Sequence, residues 1–255
     1  MDLRGASCLV TGSSGGIGGA IAAELARRTR RLAVSGRHAD RTREVAARTG
    51  ALPIVADLRD PSEVERVARE AVEALGSIDV LVHAAGIGAA GPAEDLDGST
   101  LEDLVAVNLR APIHLTCLLL PGILGRRTGA IAFVASIAGH VGVPDEAAYA
   151  ASKAGLIGFA ESLRSQVGPR GVRVLVVSPG VVRTAFFERR GLPYGGRFPR
   201  PIGSRRVATA AVRALERDRP ELFVPRWLAV PARLHGAWPS RYRSLASRFG
   251  QSSRR

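Results

Sequence analysis

The chain is almost without lysine and asparagine: Lys153 is the single lysine among 36 basic residues, and Asn108 the single asparagine, in 255 positions. Arginine serves as well as lysine on a solvated surface. It does not serve where a compact point charge with freely rotating donors is needed, so the surviving lysine marks a position with specific work. Cysteine is scarce too. Cys8 and Cys117 each lie in an apolar segment and read as buried thiols, which excludes a disulfide framework and a cysteine-based metal site. No stretch reaches the ~18 consecutive apolar residues of a membrane span. The opening, Met1 to Ser7, runs directly into an apolar strand without the long apolar region of a signal peptide. These absences together predict a protein of the reducing cytoplasm.

What is present suits one domain: 46% hydrophobic residues supply a core, and 23% charged residues a soluble surface. The charge is unevenly placed. Residues 1–180 hold 19 basic and 19 acidic side chains, whereas residues 181–255 hold 17 basic and 4 acidic, which accounts for the whole net charge of +13. A neutral body with a basic final third argues for a local task rather than for nucleic-acid binding, and no nucleic-acid reading motif is present.

Apolar strands and helical patterns alternate along the chain. Strands are expected at Ala6–Thr11, Leu32–Ser35, Leu52–Ala56, Ile78–Val82, Ile131–Ala135 and Val172–Val177. Helices are expected over Gly16–Ala26, Asp40–Arg48, a segment opened by Asp60-Pro61-Ser62-Glu63, a long region after Ser99 bent or broken at Pro112 and Pro121, and Ala147–Val167. Strands separated by helices imply right-handed crossovers. The predicted fold is therefore α/β: a single-domain, doubly wound (Rossmann-type) parallel sheet with helices on both faces, spanning 1–225. Residues 226–255 form a basic, aromatic extension.

The first strand ends in Thr11-Gly12-Ser13-Ser14-Gly15-Gly16-Ile17-Gly18 and a helix follows at once. Such a turn lets backbone amides approach a pyrophosphate at a helix N-terminus. The end of the second strand, where an acid would bind the adenosine ribose, reads Ser35-Gly36-Arg37, with no carboxylate before Asp40. An arginine there pairs with a 2′-phosphate, which favours NADP(H) over NAD(H). Asp57, closing the third strand, is read as an acceptor for the adenine amino group or as a strand-end turn residue.

Tyr149 and Lys153 lie four apart in Tyr-Ala-Ala-Ser-Lys and share one helix face. A free phenol has a pKa of ~10. A cation about 6 Å away at an effective dielectric near 20 favours phenolate by roughly 3 kcal/mol, or about two pH units, so Lys153 is expected to make Tyr149 an acid/base. Ser136, ending the fifth strand, is placed to hold a substrate oxygen beside it. Asn108 lies in a helical stretch where asparagine is a poor helix former, so it reads either as functional or as a cap before Pro112.

With these motifs in order, the chain resembles the classical short-chain dehydrogenase/reductase family over roughly residues 5–225. The correspondence runs through Thr-Gly-x-x-x-Gly-x-Gly at 11–18, Asp57, Ala85-Gly86, Asn108, Ser136, Tyr149 with Lys153, and Pro179-Gly180 with Thr184. The resemblance implies a catalytic set of Asn108, Ser136, Tyr149 and Lys153, with Asn108 organising a water-linked proton path to the lysine, which also binds the nicotinamide ribose. It implies a cofactor site built from Gly12, Ser14, Gly16, Ile17, Gly18, Arg37, Asp57, Leu58, Ala85, Gly86, Tyr149, Lys153, Pro179, Gly180 and Thr184. One departure stands out: Asn-Asn-Ala-Gly is replaced by His83-Ala84-Ala85-Gly86, and His83 reads as a hydrogen-bonded structural residue.

Residues 185–205 correspond to the family's variable substrate lid. Phe186, Phe187, Leu192, Tyr194 and Phe198 are read as an apolar wall, lined or rimmed by Arg189, Arg190, Arg197 and Arg200, or else as a surface loop. Beyond 225, Ser240 is read as the cap of a short helix carrying Tyr242, Leu245, Ala246 and Phe249 on one face. That end is expected to pack on the domain, meet a partner subunit, or touch an anionic membrane surface. The expected activity interconverts a carbonyl and a secondary alcohol on an apolar small molecule, in a homo-oligomer (dimer or tetramer). The alternatives are an NAD-dependent alcohol dehydrogenase and a non-catalytic nucleotide-binding sensor or scaffold.

Overall fold

The apolar runs form strands that pair in parallel. In a computed structural model describing residues 1–192, 194–195 and 199–242, these are β1 (Cys8–Thr11), β2 (Leu32–Gly36), β3 (Leu52–Val55), β4 (Val80–His83), β5 (Gly129–Val134) and β6 (Val172–Pro179). They are followed by a short pair, β7 (Val182–Arg183) and β8 (Ile202–Gly203), and by β9 (Glu221–Val224). Seven strands join one sheet in the order β3-β2-β1-β4-β5-β6-β9, every neighbouring pair parallel. β1, β4 and β5 are buried at every position, as expected when helices cover both faces.

Alternate side chains divide the core into two layers. Val10, Val34, Val82 and Val177 face α1 (Gly16–Leu25), α2 (Ala39–Thr49) and α8 (Ser204–Glu216) through Ile21, Leu25, Val45, Val207 and Leu215. Leu9, Leu81, Ile131 and Val176 face α3 (Pro61–Leu75), α5 (Ala111–Gly125) and α6 (Ala147–Val167) through Val64, Val67, Leu115, Ile123 and Leu156. The remaining helices are α4 (Gly98–Val105), α7 (Phe186–Arg189) and α9 (Ala229–Ala237).

Local signals set several ends as expected. Asp60 caps α3 by accepting from the Ser62 amide, with Pro61 in the first turn. α6 spans the expected residues. Other expectations need correction. Pro112 and Pro121 do not break the long helical region: α4 passes into a π-helical turn, Ala106–Arg110, and then directly into α5. Pro112 occupies the first turn of α5, and Pro121 and Cys117 both face outward, so the carbonyl deprived of its donor is open to solvent. Cys117 is thus exposed, not buried, while Cys8 is buried. The run Gly98–Gly125 is long and apolar enough to cross a membrane by length and composition, although no apolar stretch was expected to be; half of its most apolar window is buried within the protein. β9 is a strand the sequence pattern did not reveal.

After β9 comes the cavity-side cluster in which Leu228 and Ala232 pack with Phe223, Ile137 and Ala229. A further helical turn opens at Pro239, one residue before the expected cap, with the Tyr242 amide donating to Trp238 O at 3.0 Å. Arg197 and Phe198 of the expected lid, and Arg243, Leu245, Ala246, Arg248 and Phe249, lie outside the described residues.

Candidate active site

A cavity of about 1590 Å³ opens where the chain order of the sheet reverses, between β1 and β4, the position at which such sheets hold ligands. It exceeds the ~300–1,000 Å³ of an ordinary small-molecule pocket, leaving room for a dinucleotide beside a second molecule. Gly12, Ser14, Gly16, Ile17, Gly18, Arg37, Asp57, Leu58, Ala85, Gly86, Ser136, Tyr149, Lys153, Pro179, Gly180 and Thr184 all line it. Asn108 does not.

The first turn fits a dinucleotide for steric reasons. A Cβ on Gly12 would lie 2.4 Å from the Ala85 Cα, and one on Gly18 2.3 Å from the Gly12 carbonyl oxygen. Gly12 also adopts φ +67°, in the left-handed region. The turn therefore folds tight against the exit of β4, and the start of α1 faces the cavity. At the far end Arg37 is exposed. Burial, and then the neighbouring guanidiniums of Arg37, Arg189 and Arg41, lower the His38 pKa. Asp40 points to solvent, 3.6 Å from Arg43. Asp57 accepts from Arg59 through Nε (3.0 Å) and Nη2 (2.6 Å), and this pairing holds its carboxyl below the usual range. Arg59 reaches Asp103 as well.

Tyr149 and Lys153 are both buried on one face of α6, with Nζ 5.9 Å from the phenol centroid. Lys153 Nζ donates to the Val134 carbonyl at 3.1 Å. The expected depression of the phenol is overturned: burial pushes the Tyr149 pKa up to about 12, a hydrogen bond with Ser136 lowers it, and nearby Glu146 raises it while Arg190 lowers it. Burial likewise lowers Lys153 to about 8. Low dielectric disfavours whichever form carries charge, so burial raises the phenol and lowers the ammonium.

Asn108 acts as a staple. Its amide nitrogen donates to the Ile87 carbonyl (2.9 Å) and to Ser152 Oγ (3.0 Å), while its Oδ1 accepts from the Ile87 amide (2.9 Å). Ser152 in turn donates to the Tyr149 carbonyl at 2.7 Å. The π turn widens the helix where Asn108 sits, and such turns frequently mark functional positions. His83 is buried, shares a 2.8 Å hydrogen bond with Thr116, and stacks on Phe133 at 4.9 Å; burial lowers its pKa to about 3, so the ring is neutral.

The side of the cavity beside Tyr149 is walled by rings. Phe186 lies 5.4 Å from Tyr149, Phe187 5.5 Å from Phe186, and Tyr194 5.6 Å from Phe187. The Arg190 guanidinium sits 4.5 Å over Phe187, donates through Nε to Leu192 O at 2.9 Å, and pairs with Glu146. The side chains of this pair are only 6% and 16% exposed, so the segment carrying Arg190 is clasped to the start of α6 by a buried ion pair. Glu146 and Ser152 were absent from the expected set. Ser152 sits within Tyr-Ala-Ala-Ser-Lys, a usable signal; Glu146 offered only a charge among many.

Comparison with known proteins is consistent with this geometry. The model of the family described as short chain dehydrogenase matches residues 6–193. Carbonyl reductase family member 4 of Xenopus tropicalis is 36% identical over 178 residues, covering 69% of this chain and 75% of that protein. A short-chain dehydrogenase from Sphingobium yanoikuyae in complex with NADPH superposes with a TM-score of 0.80 at 26% identity, covering 98% of this chain and 96% of the other. A short chain dehydrogenase/reductase from Burkholderia phymatum in complex with NAD shares the fold with a TM-score of 0.83 at 22% identity, covering 93% and 95%.

Proposed function

The chain belongs to the short-chain dehydrogenase family of oxidoreductases, and on that premise we propose that it reduces a carbonyl on an apolar small molecule with NADPH, or runs the reverse oxidation. The observation that carries this reading is the convergence of Ser136, Tyr149 and Lys153 on the cavity that the glycine turn also lines. When bound, the nicotinamide supplies the hydride. The chain's residues manage the oxygen and its proton. Ser136 holds the carbonyl oxygen as charge develops on it. The buried phenol, kept protonated by its raised pKa, delivers its proton to that oxygen, and the phenolate left behind is stabilised by Lys153 and by the Ser136 hydroxyl. Asn108 and Ser152 fix the loop after β4 and the helix carrying Tyr149. The aromatic wall from Phe186 to Tyr194 favours an apolar substrate.

The preference for NADP(H) is supported by the guanidiniums of Arg37, Arg41 and Arg189 around His38 and by an Asp40 turned to solvent. A cytoplasmic site of action and assembly into a homo-oligomer are part of the same reading. The test is turnover of a ketone and alcohol panel with each cofactor. Tyr149→Phe is expected to lower kcat by roughly 10²–10⁴-fold with cofactor affinity kept, measured by NADPH absorbance and fluorescence titration. Retained turnover sinks the mechanism. Arg37→Ala is expected to weaken NADPH binding about tenfold or more, as loss of a charged hydrogen bond does, and to leave NADH binding within a factor of two or so. Equal effects on both remove the basis for the preference.

A further inference from the structure

The segment from Trp227 to Trp238 divides its apolar side chains between opposite faces. Leu228 and Ala232 are buried against Phe223 and Ile137. Val230, Leu234 and Trp238 follow one another at intervals of four, which aligns them on one face of a helix, and they are 59%, 43% and 61% exposed. Trp227, 42% exposed, lies at the head of the same stripe. Four of the ten large apolar side chains exposed among the described residues thus fall in this one segment, too concentrated to be ordinary surface scatter. Arg226 and Arg233 flank the stripe and are exposed, as is Arg241. From Arg226 onward the sequence has seven arginines and no acidic residue.

We propose that this face of α9 docks on an anionic lipid surface, with Trp227, Val230, Leu234 and Trp238 entering the headgroup boundary and the flanking arginines pairing with lipid phosphates. An apolar stripe carrying tryptophan beside a basic edge is the amphipathic pattern that lies in an interface, and tryptophan favours that depth because its ring is apolar and its N–H polar. The charge selects lipid over a second copy of the chain. A symmetric contact sets each patch against its own copy, which would bring arginine against arginine with only Glu221, 3.8 Å from Arg233, to offset it. The apolar stripe selects lipid over nucleic acid, whose phosphates would leave Val230, Leu234 and Trp238 without apolar cover.

The chain's two tryptophans are Trp227 and Trp238, so tryptophan emission reports on this face alone. The full chain is mixed with phosphatidylcholine vesicles with and without about a third phosphatidylglycerol, and followed by emission and flotation. Expected are a blue shift and flotation with the anionic vesicles, both lost in Val230→Ser/Leu234→Ser/Trp238→Ser. Partitioning should fall roughly fivefold for each of Arg226→Gln, Arg233→Gln and Arg241→Gln, and should weaken with added salt. Thermal melting and NADPH binding check that the variants fold; if the triple variant does not, Trp238→Ser alone, read through Trp227, makes the same test. No shift with anionic vesicles, or equal flotation of the stripe variant, overturns the proposal. So does a stripe variant that changes the mass by light scattering but not flotation, which assigns the face to a second copy, or binding to duplex DNA in place of vesicles.

Discussion

Around the first strand-to-helix turn the cavity wall is backbone: Gly12 and Gly18 have no room for a Cβ, and the contacts are with the Ala85 main chain and the turn's own carbonyl. Across the cavity, at Phe186, Phe187, Arg190 and Tyr194, the wall is side chain: three rings in sequence, one guanidinium over a ring, and one buried ion pair to Glu146. The first wall admits one backbone path and no substituent. The second depends on which side chains happen to fill it, so the same scaffold accepts different walls there. A tight backbone cradle leaves little room for variation, whereas a wall of side chains can be altered residue by residue without moving the scaffold.

The sharpest break of this contrast is Gly12→Val. A side chain at a left-handed position, aimed at backbone 2.4 Å away, is expected to cost on the order of 4 kcal/mol by summing strain and overpacking, read as a large drop in melting temperature together with lost NADPH binding. A well-folded, cofactor-binding variant would mean that the cradle is soft. Next in size is Glu146→Ala. It strands the buried Arg190 guanidinium and is expected to destabilise by roughly 3 kcal/mol, measured by urea unfolding. Because the pair holds the aromatic wall to α6, KM should rise while cofactor affinity is kept; a parallel loss of both would tie the two walls together. The smallest effect is a pH dependence of the cofactor-free protein. Lys153 is held at about 8 in the fold against ~10.4 unfolded, so between these values the unfolded chain binds the extra proton and stability rises with pH. The gain should be a few kcal/mol at most from about pH 8 to 10, and Lys153→Met should flatten it. Above ~10 the raised Tyr149 acts oppositely: the unfolded phenol loses its proton first, and stability falls as pH rises.

What the sequence disclosed tracks this same division. The cradle was legible because a glycine's place in a turn is local chemistry, and Tyr149 with Lys153 because helical spacing alone puts them on one face. Asp60 announced α3 for the same reason. The clasp was not legible: Glu146 and Arg190 are separated by more than forty positions, and nothing in either neighbourhood names the other. Nor was the state of the phenol. Its charge balance depends on how much water the surrounding rings exclude, and a count of nearby cations omits that. Cys117 was misplaced because an apolar helix with an outward face looks the same in sequence as a buried one. β9 was missed because Glu221-Leu222-Phe223-Val224 is short, opens on a carboxylate and lies between Pro220 and Pro225, which together read as a loop.

The π turn at Ala106–Arg110 has a consequence for the chain's tolerance of length changes. It holds one residue more than an α-helical turn would, and the wider turn absorbs that residue without turning α5 relative to α4. Deleting a single residue there would let the turn close as an ordinary α-helical one, leaving Leu115, Leu119 and Ile123 facing the sheet and disturbing chiefly the place of Asn108 against Ile87. The same deletion inside α5 would rotate everything beyond it by about 100°, so the π turn is the one place in this continuous helical run where a residue can be lost without turning the helix that follows.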